Sequence, residues 1–470
     1  MNIVCIGSGY VGSVTGAAFA TLGHRTMVLD IDVNKVALIN SGKSPIYEPG
    51  LDELISAYVG NTLFATNSYD VIREADVVFI GVGTPSKPDG TADLKYIKLA
   101  AQDIGKHLNP DKFTVIVNKS TVPVGTADLV ATIIEEHSKL QLNTHFAVVS
   151  NPEFLREGFA LEDVFFPDRI VIGVDNERAR KIMHLLYQGI LNAQNYDKKS
   201  ANFYFDYKLD AKRPQYFETD IKSAEMIKYA SNAFLAVKIS YINEMARLCE
   251  VLGANIMDVS TGMGLDSRIG NKFLQVSSGW SGSCFPKDTA ELLATSRKYG
   301  CELGVVEATV ESNLKMHSYV VDKIKRKLQS LNGKTIGILG LTFKPNTDDA
   351  RNTQASVIIR ELVEVGARVK VHDPQGMEMF RKLNSELDIT YCDEPLQAAR
   401  QTDAIVLLTH WDEYTGLKWH ELHHVVRTPY ILDTRNFLNH RYLREIGFDC
   451  EGLGISSSKT SDRGNTIVAV

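Results

Sequence analysis

The chain has 470 residues, 44% hydrophobic and 23% charged, enough for two or three domains with cores of their own. A net charge of -6, spread along the chain with no long basic run, argues against nucleic acid or an acidic membrane as a partner. Six cysteines lie far apart with no C-x-x-C pair, which excludes a disulfide framework and makes a metal site unexpected. No apolar run is long enough to span a bilayer, and no signal peptide opens the chain, so a cytoplasmic protein is expected.

Asn2 to Ile6 reads as a buried strand, followed at once by Gly7-Ser-Gly9-Tyr10-Val11-Gly12 and an alanine-rich helix over Ser13 to Leu22. A second strand, Thr26 to Leu29, ends in Asp30. A lone G-x-G-x-x-G says little. Here the strand, the helix and an acid at the expected spacing make it a dinucleotide site. Gly7 allows the tight turn, Gly9 lets a pyrophosphate approach the backbone, and Gly12 lets helix and strand pack. Asp30 would accept ribose hydroxyls and repel a 2′-phosphate, favouring NAD over NADP.

Strands are then expected at Asp76 to Ile80, Phe113 to Asn118 and His145 to Ser150, each ending in a polar loop. Ligands of open α/β sheets bind beyond the carboxyl ends of the strands, which brings Thr84, Thr121, Glu153 and Glu157 to the cofactor edge. Any one of them alone could be a turn or cap residue. From Leu191 to Phe217 the chain is polar and aromatic without periodicity and reads as a loop.

Asp220 to Leu252 has neither proline nor glycine and keeps a helical period, so it predicts a helix of roughly 50 Å, of the kind that joins domains and forms dimer interfaces. Lys228 and Asn232 share one face of it, either as oxyanion-stabilising donors or as a solvated surface pair with Glu225. After it comes Gly279-Trp-Ser281-Gly-Ser-Cys284-Phe-Pro286-Lys287-Asp288, with a helix expected over Thr289 to Lys298. A thiol just before a helix end, with Lys287 close by, is expected to ionise more easily than a free cysteine. Taken alone, it reads equally as a structural cysteine beside a helix cap. A second alternating set follows: strands at Thr335 to Leu339, Arg368 to His372, Ala404 to Leu408 and Tyr430 to Leu432, and a helix over Ser356 to Val365. It has no second glycine fingerprint. The tail, 456–470, is expected to be poorly ordered.

Gly-Ser-Cys284-Phe-Pro-Lys-Asp288 resembles the active-site signature of the UDP-glucose/GDP-mannose dehydrogenase family, in its UDP-glucose-oxidising branch. The Gly7–Gly12 fingerprint, Lys119-Ser-Thr-Val-Pro-Val-Gly-Thr126, Asn151-Pro-Glu-Phe-Leu155, the Lys228/Asn232 helix and Asp266–Leu274 resemble the same family in the same order. The resemblance implies two Rossmann-like, doubly wound α/β domains joined by a central helical segment: 1–217 for NAD, 218–330 for dimerisation and the thiol loop, 331–470 for the UDP-sugar. It implies that UDP-glucose and two NAD⁺ yield UDP-glucuronate and two NADH through a thiohemiacetal and a thioester on Cys284.

By the same resemblance, Lys228 and Asn232 hold the oxyanion, Asp288 with a water on Thr121 handles protons, and Glu153 activates the hydrolytic water. Tyr10, Val11, Lys35, Thr84, Glu157, Lys287 and Arg351 are placed near NAD. Phe154, Leu155, Phe273, Leu274, Gln275, Val276, Ser277, Ser281, Lys344 and Arg435 are placed at the substrate. Arg268 is expected to enter the neighbouring subunit's pocket, so a homodimer is implied, with no resident metal. Relatives carry a more glycine-rich loop where this chain has Ser277–Ser281. The rival readings are the same chemistry on GDP-mannose or a UDP-N-acetylhexosamine, a one-step hydroxyacid-type dehydrogenase, and a non-catalytic nucleotide-sugar sensor.

Overall fold

The computed structural model describes residues 1–192 and 213–455. Most of the 191–217 segment and the 456–470 tail therefore lie outside the described residues. The described chain divides into two compact units, Met1–Ser231 with Ala290–Tyr299, and Asn232–Thr289 with the chain from Gly300 on.

The first unit holds an eight-stranded sheet. Its strands are β1 Asn2–Ile6, β2 Arg25–Leu29, β3 Leu63–Thr66, β4 Val77–Ile80, β5 Thr114–Asn118, β6 Phe146–Ser150, β7 Arg169–Gly173 and β8 Gln215–Thr219. Their order is β3-β2-β1-β4-β5-β6-β7-β8, parallel throughout except where β6 meets β7. β8 corrects the loop expected to run to Phe217, because Gln215 to Phe217 pair with Arg169 to Val171. Edge pairing with a neighbour far back in the chain supplies the regularity that local periodicity lacks.

Side chains alternate across this sheet into two cores, Val4, Ile6, Val78, Ile80 and Ile116 on one face and Ile3, Cys5, Val77, Phe79, Val115 and Val117 on the other. Strands buried on both faces read as continuous apolar runs, which is why they are legible in the sequence. The first helix, Tyr10–Thr21, begins three residues earlier than expected, with Gly9 as its cap residue.

The second unit carries a six-stranded parallel sheet of β9 Thr335–Leu339, β10 Arg368–His372, β11 Thr390–Tyr391, β12 Ala404–Leu407, β13 Tyr430–Asp433 and β14 Asp449–Gly452. Their order, β11-β10-β9-β12-β13-β14, repeats the doubly wound order of the first six strands of the other sheet. The two sheets make the fold α/β. The long helix runs Ile221–Leu252, with Asp220 Oδ1 accepting from Ser223 N at 2.8 Å as its N-terminal cap. The boundary between the units falls inside it, after Ser231.

Candidate active site

In the first unit the glycine fingerprint lies at the switch point of the sheet, where β1 has β2 on one side and β4 on the other. Gly7 has φ +97°, and a Cβ on it would stand 2.9 Å from the Gly81 carbonyl oxygen. On Gly12 a Cβ would stand 1.8 Å from the Gly7 carbonyl oxygen, so no larger residue fits without moving the turn. Around Gly9 no atom of the described residues lies within 4 Å of that position. The three glycines thus differ as a dinucleotide site requires: two are filled by the fold, and one leaves room for a phosphate. Tyr10 and Val11 open the helix beyond them.

Asp30 accepts from Ser8 N at 2.7 Å, Ser8 Oγ at 2.6 Å and Asp32 N at 2.9 Å. Burial pushes its pKa up, but these bonds and the charge of Lys35 outweigh burial and hold it below the ordinary value. The residues fit NAD: an ionised acid beside an open glycine.

At the carboxyl ends of the later strands, Thr84 Oγ1 donates to the Thr121 carbonyl at 2.8 Å, and both residues are buried. Glu153 is buried and forms a 2.8 Å ion pair with Lys228. Burial pushes the carboxyl up, but Lys228, the Leu155 amide and Lys119 together hold it below its usual range. The Phe154 ring lies 5.4 Å from Lys228 Nζ and 4.1 Å from the Arg169 guanidinium. Leu155 donates its N–H to Glu153 Oε2 at 2.6 Å. Glu157 follows in the same loop.

The solvated-pair alternative for Lys228, Asn232 and Glu225 is corrected, because all three are buried. Glu225 caps the helix Thr126–Ser138, accepting from Gly125 N at 2.6 Å and Ala127 N at 2.9 Å. Burial pushes it up to about 7 against the pull of those bonds.

The second unit places the thiol. Cys284 is partly exposed and immediately precedes the helix Phe285–Lys298, which starts earlier than the expected Thr289 and takes Pro286 into its first turn. One turn on, Asp288 is buried; its Oδ2 accepts from the Asn232 amide at 2.6 Å and its Oδ1 from Lys287 Nζ at 2.5 Å. Asn232, Asp288 and Lys287 are thus one hydrogen-bonded chain beside the thiol's helix end.

The run Phe273–Ser277 divides by face. Leu274 and Val276 are buried in the unit's core, so a ligand would meet their backbone only, whereas Gln275 is exposed. Phe273 takes φ +63°. Ser277 N donates to Asn243 Oδ1 at 2.9 Å, and Ser281 donates to Gln354 Oε1. Arg268 is exposed and holds Asp266 with two nitrogens, at 2.6 and 3.1 Å.

On the second sheet's carboxyl edge, Arg435 donates to the carbonyls of Leu408 at 3.1 Å and Phe343 at 3.5 Å, beside Lys344. Burial lowers its pKa to about 10 even though Asp433 works in the other direction. A guanidinium held by carbonyls keeps donors for an anion. Arg351 pairs with Asp349 at 2.7 Å.

Two residues of the first unit carry no signal in the sequence. Glu48, buried, accepts from Gly158 N at 2.6 Å and Ala160 N at 2.7 Å, tying down the loop that carries Glu153 and Glu157. Lys119, also buried, donates to Asn151 Oδ1 at 3.0 Å, and burial lowers its pKa to about 8. Their partners lie 110 and 32 residues away, so no local spacing signals them.

A doubly wound sheet with a fitted dinucleotide turn, followed by a thiol helix and a second nucleotide-type sheet, defines a nicotinamide-dependent dehydrogenase with a cysteine among its candidate groups. Three parts of one family description match in order: the NAD binding domain over residues 1–191, the central domain over 222–315 and the UDP binding domain over 337–440. The chain belongs to the UDP-glucose/GDP-mannose dehydrogenase family. It is 43% identical to a UDP-glucose 6-dehydrogenase of Rhizobium meliloti, over 97% of this chain and 99% of that one. A UDP-glucose 6-dehydrogenase of Bacillus subtilis is 40% identical over 98% and 95%. Among solved structures, a UDP-glucose dehydrogenase from Pyrobaculum islandicum superposes with a TM-score of 0.84 at 36% identity, covering 97% of this chain and 98% of that chain.

Proposed function

We propose that the protein oxidises UDP-glucose to UDP-glucuronate, reducing two NAD⁺ per sugar, with Cys284 as nucleophile. NAD⁺, when bound, accepts a hydride in each of the two oxidations. Asp288, with a water on Thr121, takes the proton of the sugar's primary hydroxyl as the aldehyde forms. The Cys284 thiolate then adds to the aldehyde carbon, giving a thiohemiacetal whose oxyanion Lys228 and Asn232 stabilise. Loss of the second hydride leaves a thioester. Glu153 takes a proton from water, the hydroxide adds to the thioester carbonyl, and the thiolate departs, leaving the carboxylate.

The observation that carries this reading is the hydrogen-bonded chain from buried Asn232 through buried Asp288 to half-buried Lys287, beside the helix end that follows Cys284. A dehydrogenase that stops at the carbonyl needs no thiol there. Product analysis with UDP-glucose and NAD⁺ tests it: two NADH and one glucuronate per sugar are expected, and Cys284→Ala is expected to make no acid. Near-normal glucuronate from that variant, or a preference for GDP-mannose in a panel of nucleotide sugars, would overturn the reading.

The three-part division, 1–217 for cofactor, 218–330 for the thiol loop and dimer, 331–470 for the UDP-sugar, belongs to the same proposal, as does a cytoplasmic setting. No helix of the described residues is long and apolar enough to cross a membrane. A homodimer through the long helix is supported by Phe234, Tyr241 and Leu248, exposed by 63%, 46% and 48% at seven-residue spacing. In such a dimer the exposed Arg268 would exchange its ion pair with Asp266 for a neighbouring pocket. Phe234→Glu with Tyr241→Glu is expected to give monomers by light scattering, and an unchanged mass would sink the interface.

A further inference from the structure

The loop before Cys284 is clamped by three segments of its own unit. Asn313 holds both sides of Trp280, accepting from its N–H at 2.8 Å and donating to its carbonyl at 2.9 Å. The Trp280 ring N–H donates to Ser240 Oγ at 2.8 Å, and the ring meets Phe285, the residue after the thiol, edge-on at 6.4 Å. Ser281 donates to Gln354. Just before these clamps Gly279 takes φ +118°, and a Cβ there would stand 2.7 Å from His317 Nε2. The imidazole is the floor under a left-handed turn that only glycine adopts with ease.

That floor is chemically unusual. His317 is 5% exposed, and neither ring nitrogen has a hydrogen-bond partner among the described residues. Burial lowers its pKa to about 4, so at neutral pH the ring presents one donor and one acceptor. Ser278 Oγ, on the residue before Gly279, is buried and has no partner among the described residues, and the same holds for Gln354 Nε2. Buried polar atoms without partners are rare, and leucine or phenylalanine would fill the floor without that cost. Enclosed polar sites of this kind are satisfied by a water with two to four partners.

We infer that His317 is a positioning residue for the thiol loop, holding ordered water shared with Ser278 that fixes the turn at Gly279 and, through Trp280, the placement of Cys284. The inference rests on the reading of Cys284 as nucleophile and of this loop as a sugar contact. The test uses the full chain and three variants. In His317→Phe the KM for UDP-glucose is expected to rise about five- to tenfold, the loss of one or two bridged hydrogen bonds. The KM for NAD⁺ should not move. Iodoacetamide alkylation of Cys284 in the free protein, followed peptide by peptide, should change by a similar factor while the exposed Cys301 reacts as before.

His317→Gln keeps a donor and an acceptor and should restore most of both values. Ser278→Ala should shift them the same way by less. Wild-type values in a folded His317→Phe variant overturn the inference. Equal losses in the Phe and Gln variants do so too, because they mark a packing role. If His317→Phe does not fold, unchanged values in Ser278→Ala decide against it. Acid formation by Cys284→Ala would remove the proposed function while leaving the alkylation result standing, so the two failures are distinguishable.

Discussion

The two sheets share a turn of the same construction and spend it differently. In each, the first strand is followed by a glycine at φ +97°, Gly7 and Gly340, whose N–H donates at 2.8 Å to the carbonyl of the last residue of the neighbouring strand. In each, an acid after that neighbouring strand accepts from the turn. Asp30 takes Ser8 and one further amide and stays half-buried. Asp373 takes the amides of Leu341, Thr342, Gln375 and Gly376, the Thr342 hydroxyl and the Trp411 ring, and is 3% exposed. Strand order and an acid do not by themselves make a dinucleotide site. The acid must keep lone pairs for a ligand, and the turn must keep an open glycine.

The contrast can be broken at the glycines first. Gly12→Ala places a carbon 1.8 Å from a carbonyl and is expected to cost more than about 4 kcal/mol, unfolding the first unit. Gly9→Ala, with no atom of the described residues within 4 Å of the new Cβ, should fold normally yet lose NAD binding. Thermal melts beside NAD titrations separate the two, and a stable Gly12→Ala would refute the packing account. Next comes Asp373→Ala, which strands several buried donors and should cost about 3–5 kcal/mol by denaturant titration.

Asp30→Ala should cost less stability and instead raise the KM for NAD⁺ about ten- to a hundredfold, narrowing the preference over NADP⁺. Equal stability losses at Asp30 and Asp373 would erase the distinction. A pH-dependent effect concerns a buried cation of the first unit. Lys119 is held near 8 in the folded protein and should return to about 10.4 on unfolding. Between those values the unfolded chain binds the extra proton, so this group's contribution to stability is full above the window and lost as pH falls through 8. The rise is expected to be about 3 kcal/mol and should be missing from Lys119→Met when both proteins are unfolded chemically from pH 7 to 10.5. Arg435, a half-buried cation of the other unit, is lowered only to about 10 and adds little over most of that range.

The ion pair of Lys228 with Glu153 links these stability arguments to turnover. Lys228→Met should lower turnover about a hundred- to thousandfold and also strand a buried carboxylate, so stability falls as well. Adding Glu153→Gln should recover the stability and leave the activity lost, a split visible in melts beside NADH assays.

Much of this was present in the residue order. Apolar runs buried on both faces announced most strands, and an unbroken helical period announced the Ile221–Leu252 helix. The strand–glycine–helix–acid sequence located the cofactor turn, because each of those signals acts within a few residues. Tertiary structure decided the rest. Whether Asp30 or Asp373 keeps a free lone pair, whether Lys228 meets water or Glu153, and that Gln215–Thr219 is a strand depend on groups brought together from distant parts of the chain. Periodicity reports which face of an element is apolar. It cannot report which polar group arrives to fill a hydrogen bond, and burial multiplies the consequence of that arrival by stripping away the water that would otherwise have served.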